Sequence, residues 1–277
     1  MMMSASDFSS SPHSPLHKTV GMPLPFGVTL ATCLSIQDRE YPSKAFGVHT
    51  VQQCRLFSER LERDLGVIVY GGSRMLSQVE KEASFALGKG IASYYDVTLQ
   101  HRGFVVTGGG GGHMQCVAEG AKSVGGTAIG VQHRGITKEA GYAQSYSEHY
   151  FVDTFAERLW GPLGFEELTA RTAAVPGGIG TDMEILNKGL ELHLNLTLKP
   201  AYQRIVLLDI DHYYTAEGGL MPHIDYIVEA GRIDASFKQL FAVCTTPEEA
   251  LEALFEPGQS MTTGTHIHRP NPFEMLT

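Results

Sequence analysis

The chain is short of cysteine, of positive charge and of long apolar runs, and each shortage excludes something. Four cysteines in 277 residues (Cys33, Cys54, Cys116 and Cys244) stand far apart with no CxxC pair and no zinc spacing. Neither a disulfide framework nor a zinc site is expected, and a reducing compartment is. Lysine and arginine number 21 against 30 aspartates and glutamates, a formal charge of −9. That balance repels polyanions, so no nucleic-acid polymer is expected as a partner, although one small phosphate site built from backbone N–H groups remains open. No window approaches the ~18 apolar residues of a membrane span, and residues 1–15 are Ser/Pro-rich with neither a basic n-region nor an apolar h-region. The expectation is a cytoplasmic protein with no membrane partner.

Apolar residues make up 43% and charged residues 18%, which excludes a chain disordered throughout, and the 31 glycines and 13 prolines are too scattered for collagen. Residues 1–18 read as a disordered lead-in. Residues 19–64 read as an extension packing on the main domain, with a charged helical stretch over 51–64. Residues 65–257 form the main domain and residues 258–277 a tail.

From residue 65 short β-branched runs ending in glycine alternate with longer helical stretches, the pattern of βαβ units. The expected fold is α/β: a Rossmann-like, doubly wound, mostly parallel sheet of about seven strands with helices on both faces. Strands are expected at 66–70, 103–107, 127–131, 150–152, 172–175, 204–210 and 240–244. Helices are expected at 77–95, opened by a Ser77-to-Glu80 capping box, at 113–123, around Arg158, from the 176–181 turn to 198, at 221–230 and at 246–255.

Three glycine-rich turns each follow a strand and precede a helix: Gly71-Gly72-Ser73, the run from Gly108 to Gly112, and Pro176-Gly177-Gly178-Ile179-Gly180-Thr181. In a parallel sheet all three lie at the carboxyl ends of the strands, where open α/β folds bind ligands. Glycines let the backbone approach a ligand closely, and a helix N-terminus favours phosphate. A dinucleotide fingerprint is absent, because the Gly108 run places His113 where GxGxxG needs its last glycine, and the next strand ends Gln132-His133-Arg134 with no ribose-binding acid. No GxxxxGK phosphate loop occurs either.

The segment from Pro176 to Glu184 reads PGGxGTxxE. With the Gly71 turn, the Gly108–Met114 loop and the later Asp209, Asp211-His212-Tyr213-Tyr214 stretch, it resembles the LONELY GUY (LOG) family of nucleoside 5'-monophosphate phosphoribohydrolases over about residues 66–254. The resemblance implies hydrolysis of an N-glycosidic bond to free base and ribose 5-phosphate, with no metal or organic cofactor. It makes Glu184 the catalytic carboxylate and places Pro176, Gly177, Gly178, Gly180 and Thr181 around the 5'-phosphate. Gly72, Ser73, Gly109, Gly110, Gly111 and Met114 complete the nucleotide-binding set. A carboxylate is the group such chemistry needs, since the sugar becomes oxocarbenium-like. Local sequence leaves a second role open for Glu184, because Thr181-x-x-Glu184 is also a capping box.

The family's arginine matches Arg158, although its distance to Pro176 is a few residues longer than the family pattern and Trp160-Gly161-Pro162-Leu163-Gly164 interrupts the helix. Arg171 is the rival, with a solvated helix-end cation as its plainer role. Arg74 could contact phosphate or ribose, Glu119 could face the site or a partner subunit, and His113 reads as a cap or packing residue that could line the site. His266 and His268 lack a third ligand, so no metal is assigned. Neither Lys188 nor Lys199 has a motif for a pyridoxal Schiff base. The resemblance and the frequency of two-fold oligomers imply a homodimer or higher homo-oligomer, and a nucleotide or molybdenum-cofactor carrier of the same fold is the alternative function.

Overall fold

A computed structural model of the chain describes residues 63–74, 76–136, 144–160, 164–194 and 204–255. All belong to the second of the two units into which the chain divides, Arg39–Thr277. The expected lead-in, most of the extension and the tail lie outside the described residues. Of the 51–64 stretch only residues 63 and 64 are described, within a 3-10 turn at Arg63–Leu65.

Seven strands form one sheet: β1 (Gly66–Tyr70), β4 (Phe104–Thr107), β5 (Ala128–His133), β6 (Glu148–Val152), β7 (Arg171–Ala174), β8 (Ile205–Leu208) and β9 (Phe241–Cys244). Their spatial order is β6-β5-β4-β1-β7-β8-β9, and each neighbouring pair is parallel. The helices are α1 (Gln78–Ser93), α2 (His113–Ser123), α3 (Phe155–Trp160), α4 (Phe165–Leu168), α5 (Ile179–His193), α6 (Leu220–Glu229) and α7 (Pro247–Phe255). A parallel sheet needs crossover helices on its faces, so its strands are buried on both sides. That accounts for the unbroken apolar runs Gly66-Val67-Ile68-Val69-Tyr70 and Ile205-Val206-Leu207-Leu208, every residue of which is buried.

Strand alternation sends the two sets of side chains into two cores. Val67, Val69 and Val105 pack with Leu87, Ile91 and Val117 of α1 and α2. Ile68, Tyr70 and Val106 pack with Phe165, Ile185 and Tyr214 on the other face. Each such aliphatic residue contributes about 2 kcal/mol when fully buried.

The chain winds from β1 out to β6, then returns to lay β7 on the other side of β1. This reversal makes the carboxyl ends of β1 and β7 the topological switch point, where such sheets bind ligands. The helix at 113–123 and the first strand coincide with expectation, and the Ser77 capping box forms, with Ser77 N–H donating to Glu80 Oε2 at 2.7 Å. Sequence reading omitted a small antiparallel hairpin, β2 (Tyr95–Asp96) with β3 (His101–Arg102). Its two-residue strands are too short to carry a period-two pattern. The helix expected to run to residue 198 ends at His193, and residues 195–203 are outside the description.

Candidate functional site

The three glycine turns are knitted together by their own backbone. Gly72 N–H donates to Pro176 O at 3.0 Å, and Gly72 O accepts from His113 N–H at 3.0 Å. The turn after β1 is thus the middle strip between the other two. Gly112, at φ 61°, completes the contact: a Cβ there would stand 2.6 Å from Gly72 O and 2.7 Å from Arg74 O. Both the left-handed backbone and the close approach require glycine.

Helix α5 opens at this junction with Gly178 as its N-cap and no side-chain cap. The first N–H groups of a helix have no acceptor within it, so these point out uncapped, with the positive end of the helix dipole behind them. A Cβ placed on Gly178 or Gly180 would meet nothing within 4 Å. The chain is therefore uncrowded on the side-chain side of these two residues of the helix start. Pro176 is buried, and Thr181 is tucked beneath Gly177, where it shapes the turn. Because Gly178 caps the helix, Thr181 sits inside its first turn and the Thr181-x-x-Glu184 capping box does not form. Glu184 is left for another partner.

That partner is Arg158. Its Nη1 lies 3.1 Å from Glu184 Oε1, with both side chains largely buried. The guanidinium is fixed on several sides: Nε donates to Val131 O at 3.0 Å, and its carbon sits 5.1 Å from the Phe165 ring centroid. Gly108 leaves room for it, since a Cβ there would be 2.0 Å from Nη2. Phe165 in turn packs edge-on against Tyr70, centroids 5.8 Å apart. Burial, then the charges of Glu184, Glu166 and Glu191, push the Tyr70 hydroxyl well above its ordinary value, so it stays neutral beside the pair.

Arg171 has a different place. It begins β7, at the opposite end of the strand from Pro176, and is buried with Nη1 donating to Leu254 O at 2.8 Å and its guanidinium over Phe255. It braces the amino ends of the sheet against α7, contrary to the solvated cation expected from sequence. One helix, α3, ends at Trp160 and another, α4, begins at Phe165, with residues 161–163 outside the described residues, and Arg158 still reaches Glu184.

The second glycine loop is packed rather than open. Gly108 to Gly111 are buried. Gly109, at φ 77°, lies against His149, and Gly110 O accepts from Tyr146 OH at 2.8 Å, while Thr107 Oγ1 receives Gly109 N–H at 3.1 Å. The His149 ring is stacked on Tyr146, and burial pushes its pKa down to about 4. Met114 is buried with its sulfur beside Gly108. His113 is a packing residue: Nδ1 meets Ser84 Oγ at 2.7 Å, and burial lowers its pKa despite Glu80 nearby. Ser73 and Arg74 are exposed at the edge of the junction. Glu119 is exposed farther along α2, accepting from Gln115 and Ser145.

Two residues noticed in the sequence only as part of a compatible stretch support the third loop. Tyr213 OH donates to Gly177 O, and the fully buried Tyr214 OH donates to Val175 O at 2.7 Å. Buried Asp209 holds this turn by accepting from Tyr214 N–H at 2.6 Å and Thr215 Oγ1 at 2.5 Å. Their role depends on contacts between distant loops, which spacing along the chain does not reveal.

Among the described residues no three His, Cys, Asp or Glu side chains gather as a metal set, and no helix is long and apolar enough to cross a membrane. Against known proteins, the chain is 26% identical over 189 residues to a protein of Oryza sativa subsp. japonica named "Probable cytokinin riboside 5'-monophosphate phosphoribohydrolase LOGL2", covering 67% of this chain and 70% of that one. Among solved structures it is similar to the molybdenum cofactor binding protein of Rippkaea orientalis (18% identity, TM-score 0.47, 69% of this chain and 96% of the other). It is also similar to the molybdenum cofactor carrier protein of Chlamydomonas reinhardtii (22% identity, TM-score 0.45, 69% and 96%). The family model described as "Possible lysine decarboxylase" matches residues 114–254. The amine chemistry in that description needs a Schiff-base lysine, whereas Lys188 is buried with its Nζ 2.5 Å from Glu166 Oε1. With that match over more than half of its 277 residues, carrying the PGGxGTxxE loop and both members of the Arg158–Glu184 pair, the chain belongs to the LONELY GUY family.

Proposed function

We propose that the protein hydrolyses the N-glycosidic bond of a nucleoside 5'-monophosphate, of the cytokinin riboside, purine or pyrimidine class, to free base and ribose 5-phosphate. The observation that carries this reading is the Arg158–Glu184 pair at 3.1 Å beside the uncapped N-terminus of α5. Glu184 lies five residues beyond Ile179 on that helix, about 7 Å along its axis at 1.5 Å per residue. A ribose bound by its 5'-phosphate at the helix start spans that interval and brings its anomeric carbon to the carboxylate.

In this reaction the bond from C1' to the base nitrogen breaks, and its electron pair leaves with the base. Positive charge develops on the sugar, and the Glu184 carboxylate stabilises it. A water oxygen forms the new bond to C1'. Glu184 takes that water's proton and passes it to solvent, and the departing base acquires one in turn. Arg158 orients the carboxylate and is itself fixed by Val131 O and Phe165. With the attacking water and the base's proton drawn from solvent, the reaction proposed uses no metal or organic cofactor.

The working form in this reading is a homodimer. Ile179, Met183, Leu190 and Leu194 lie on one face of α5 and at its end, at helical spacing, and are 81%, 66%, 45% and 43% exposed. An apolar stripe on the helix that also carries Glu184 suits a second copy of the chain, which would wall the base side of the site.

Base release from a panel of nucleoside 5'-monophosphates, by wild type and Glu184→Gln, tests the reading. Release by the wild type and a loss of roughly a thousandfold or more in the variant, with binding retained, is the expected result. Binding without release by the wild type would make the protein a carrier instead.

A further inference from the structure

The mechanism leaves unused an ion pair between a buried lysine and a half-buried glutamate. Lys188 lies one turn beyond Glu184 on α5, is 4% exposed, and places Nζ 2.5 Å from Glu166 Oε1 on α4. Well-packed apolar residues in such a place are commonly as stable as an ion pair, so the pair's contribution is sought in geometry. Glu166 is tied down independently: its backbone oxygen accepts from Arg63 Nε at 3.2 Å and Nη2 at 3.0 Å. Its chain neighbour Phe165 is the ring that supports the Arg158 guanidinium. One end of the ion pair therefore fixes the helix beneath Arg158, and the other fixes the helix that carries Glu184.

A second clasp lies on the same side of α5. Trp160, at the end of the helix bearing Arg158, donates Nε1–H to Glu191 Oε1 at 2.8 Å, and Asn187 Nδ2 donates to the same oxygen at 3.0 Å. Glu184, Lys188 and Glu191 fall at i, i+4 and i+7, so they share one face of the helix. Along that face α5 meets Arg158, then Glu166, then Trp160. The first contact is the reactive pair, and the other two hold α3 and α4 in register with it.

Building on the hydrolase reading above, we propose that Lys188 and Glu166 are positioning residues that set the Arg158–Glu184 geometry. They touch neither substrate nor the phosphate cradle, and their effect is carried by α4 and α5. Misplacement of a reacting group by a fraction of an ångström lowers turnover far more than binding.

The test is steady-state kinetics and thermal unfolding of Lys188→Met, Glu166→Gln and the double variant. Each single variant is expected to lose about tenfold or more in kcat, with KM within about twofold of wild type. The double variant is expected to be no worse than either single one, because the two side chains act as a unit. Should Lys188→Met fail to fold, Glu166→Gln carries the measurement, since it removes the carboxylate charge that holds Nζ while keeping nearly the same side-chain size. A folded variant with wild-type kcat, a loss confined to KM, or losses that multiply in the double variant would overturn the assignment.

A readout that needs no turnover separates this proposal from the reaction itself. The Arg158 Nε–H, which donates to Val131 O, should exchange slowly with solvent in wild type and at least tenfold faster in Glu166→Gln, followed by 15N-edited NMR with Arg158→Lys to assign the signal. Unchanged exchange would overturn the positioning role even if the wild type proved to release no base.

Discussion

Arg158 and Glu184 meet at 3.1 Å although they arise from different layers of the chain, one on the short helix after the edge strand β6 and the other on the helix that follows β7. The arginine reaches inward past β5, binding Val131 O on the way, and its head fills the space that Gly108 leaves beside the second glycine loop. The pair is therefore set at once by strand β5, the Gly108 turn and Phe165 of α4, and its geometry should be sensitive to changes that touch neither residue chemically.

Gly108→Ala is the sharpest such change. Its new Cβ would lie 2.0 Å from Arg158 Nη2 and 2.9 Å from Met114 Sδ, so the guanidinium must move. Turnover should fall by about a hundredfold while the protein remains folded, a split that kcat and circular dichroism measure together. Near-normal kcat would mean that the Arg158 position is not critical.

Two other glycines should separate stability from binding. Gly178→Ala meets nothing within 4 Å and has no unusual φ, so the melting temperature should fall by only a few degrees, the cost of an alanine at the N-cap. A methyl group added beside the helix N-terminus should raise KM for a nucleoside monophosphate severalfold or more. Gly112→Ala combines φ 61° with contacts near 2.6 Å to Gly72 O, and should cost about 2 kcal/mol or more in a denaturant titration.

Buried His149 should make stability depend on pH. Its folded-state pKa is about 4 against an ordinary 6.5, so between those values the unfolded chain binds a proton that the folded one refuses. Stability then rises with pH from about 4 to 6.5 and levels off above, by on the order of 3 kcal/mol at most for this group. His113, also lowered by burial, acts in the same direction. The melting temperature of His149→Phe should fall less steeply than that of wild type between pH 7 and 5, and equal slopes would count against the assignment.

The apolar stripe of α5 gives an expectation for assembly. Sedimentation velocity should find wild type as a dimer at micromolar concentration. A Leu190→Asp and Leu194→Asp double variant should be monomeric, because a charge buried without a partner opposes association. A wild-type monomer would remove the dimer from the proposed function.

Much of the architecture was legible because its signals are local. Gly66 to Tyr70 is an apolar run of the right length ended by glycines, and Ser77 with Glu80 writes a helix start into four residues. The three glycine turns could be assigned to one end of the sheet from the βαβ alternation alone. Less legible was what each turn does there. Gly109 and Gly110 look as open in sequence as Gly178 and Gly180, yet His149 and Tyr146 occupy their flank, while nothing occupies the flank of the other two.

By itself the sequence determined the parallel α/β class and the convergence of the glycine turns, because periodicity, turn chemistry and helix starts are decided among neighbours in the chain. Only the tertiary structure decided between the two arginines. Arg158 and Arg171 are equally charged and both lie upstream of Pro176, but a parallel strand puts its beginning and its end on opposite sides of the sheet, which leaves Arg171 with α7 and brings Arg158 to Glu184. The same holds for the role of Glu184, since a capping box and an ion pair share one sequence spacing, and the residue where the helix begins, Gly178, selects between them.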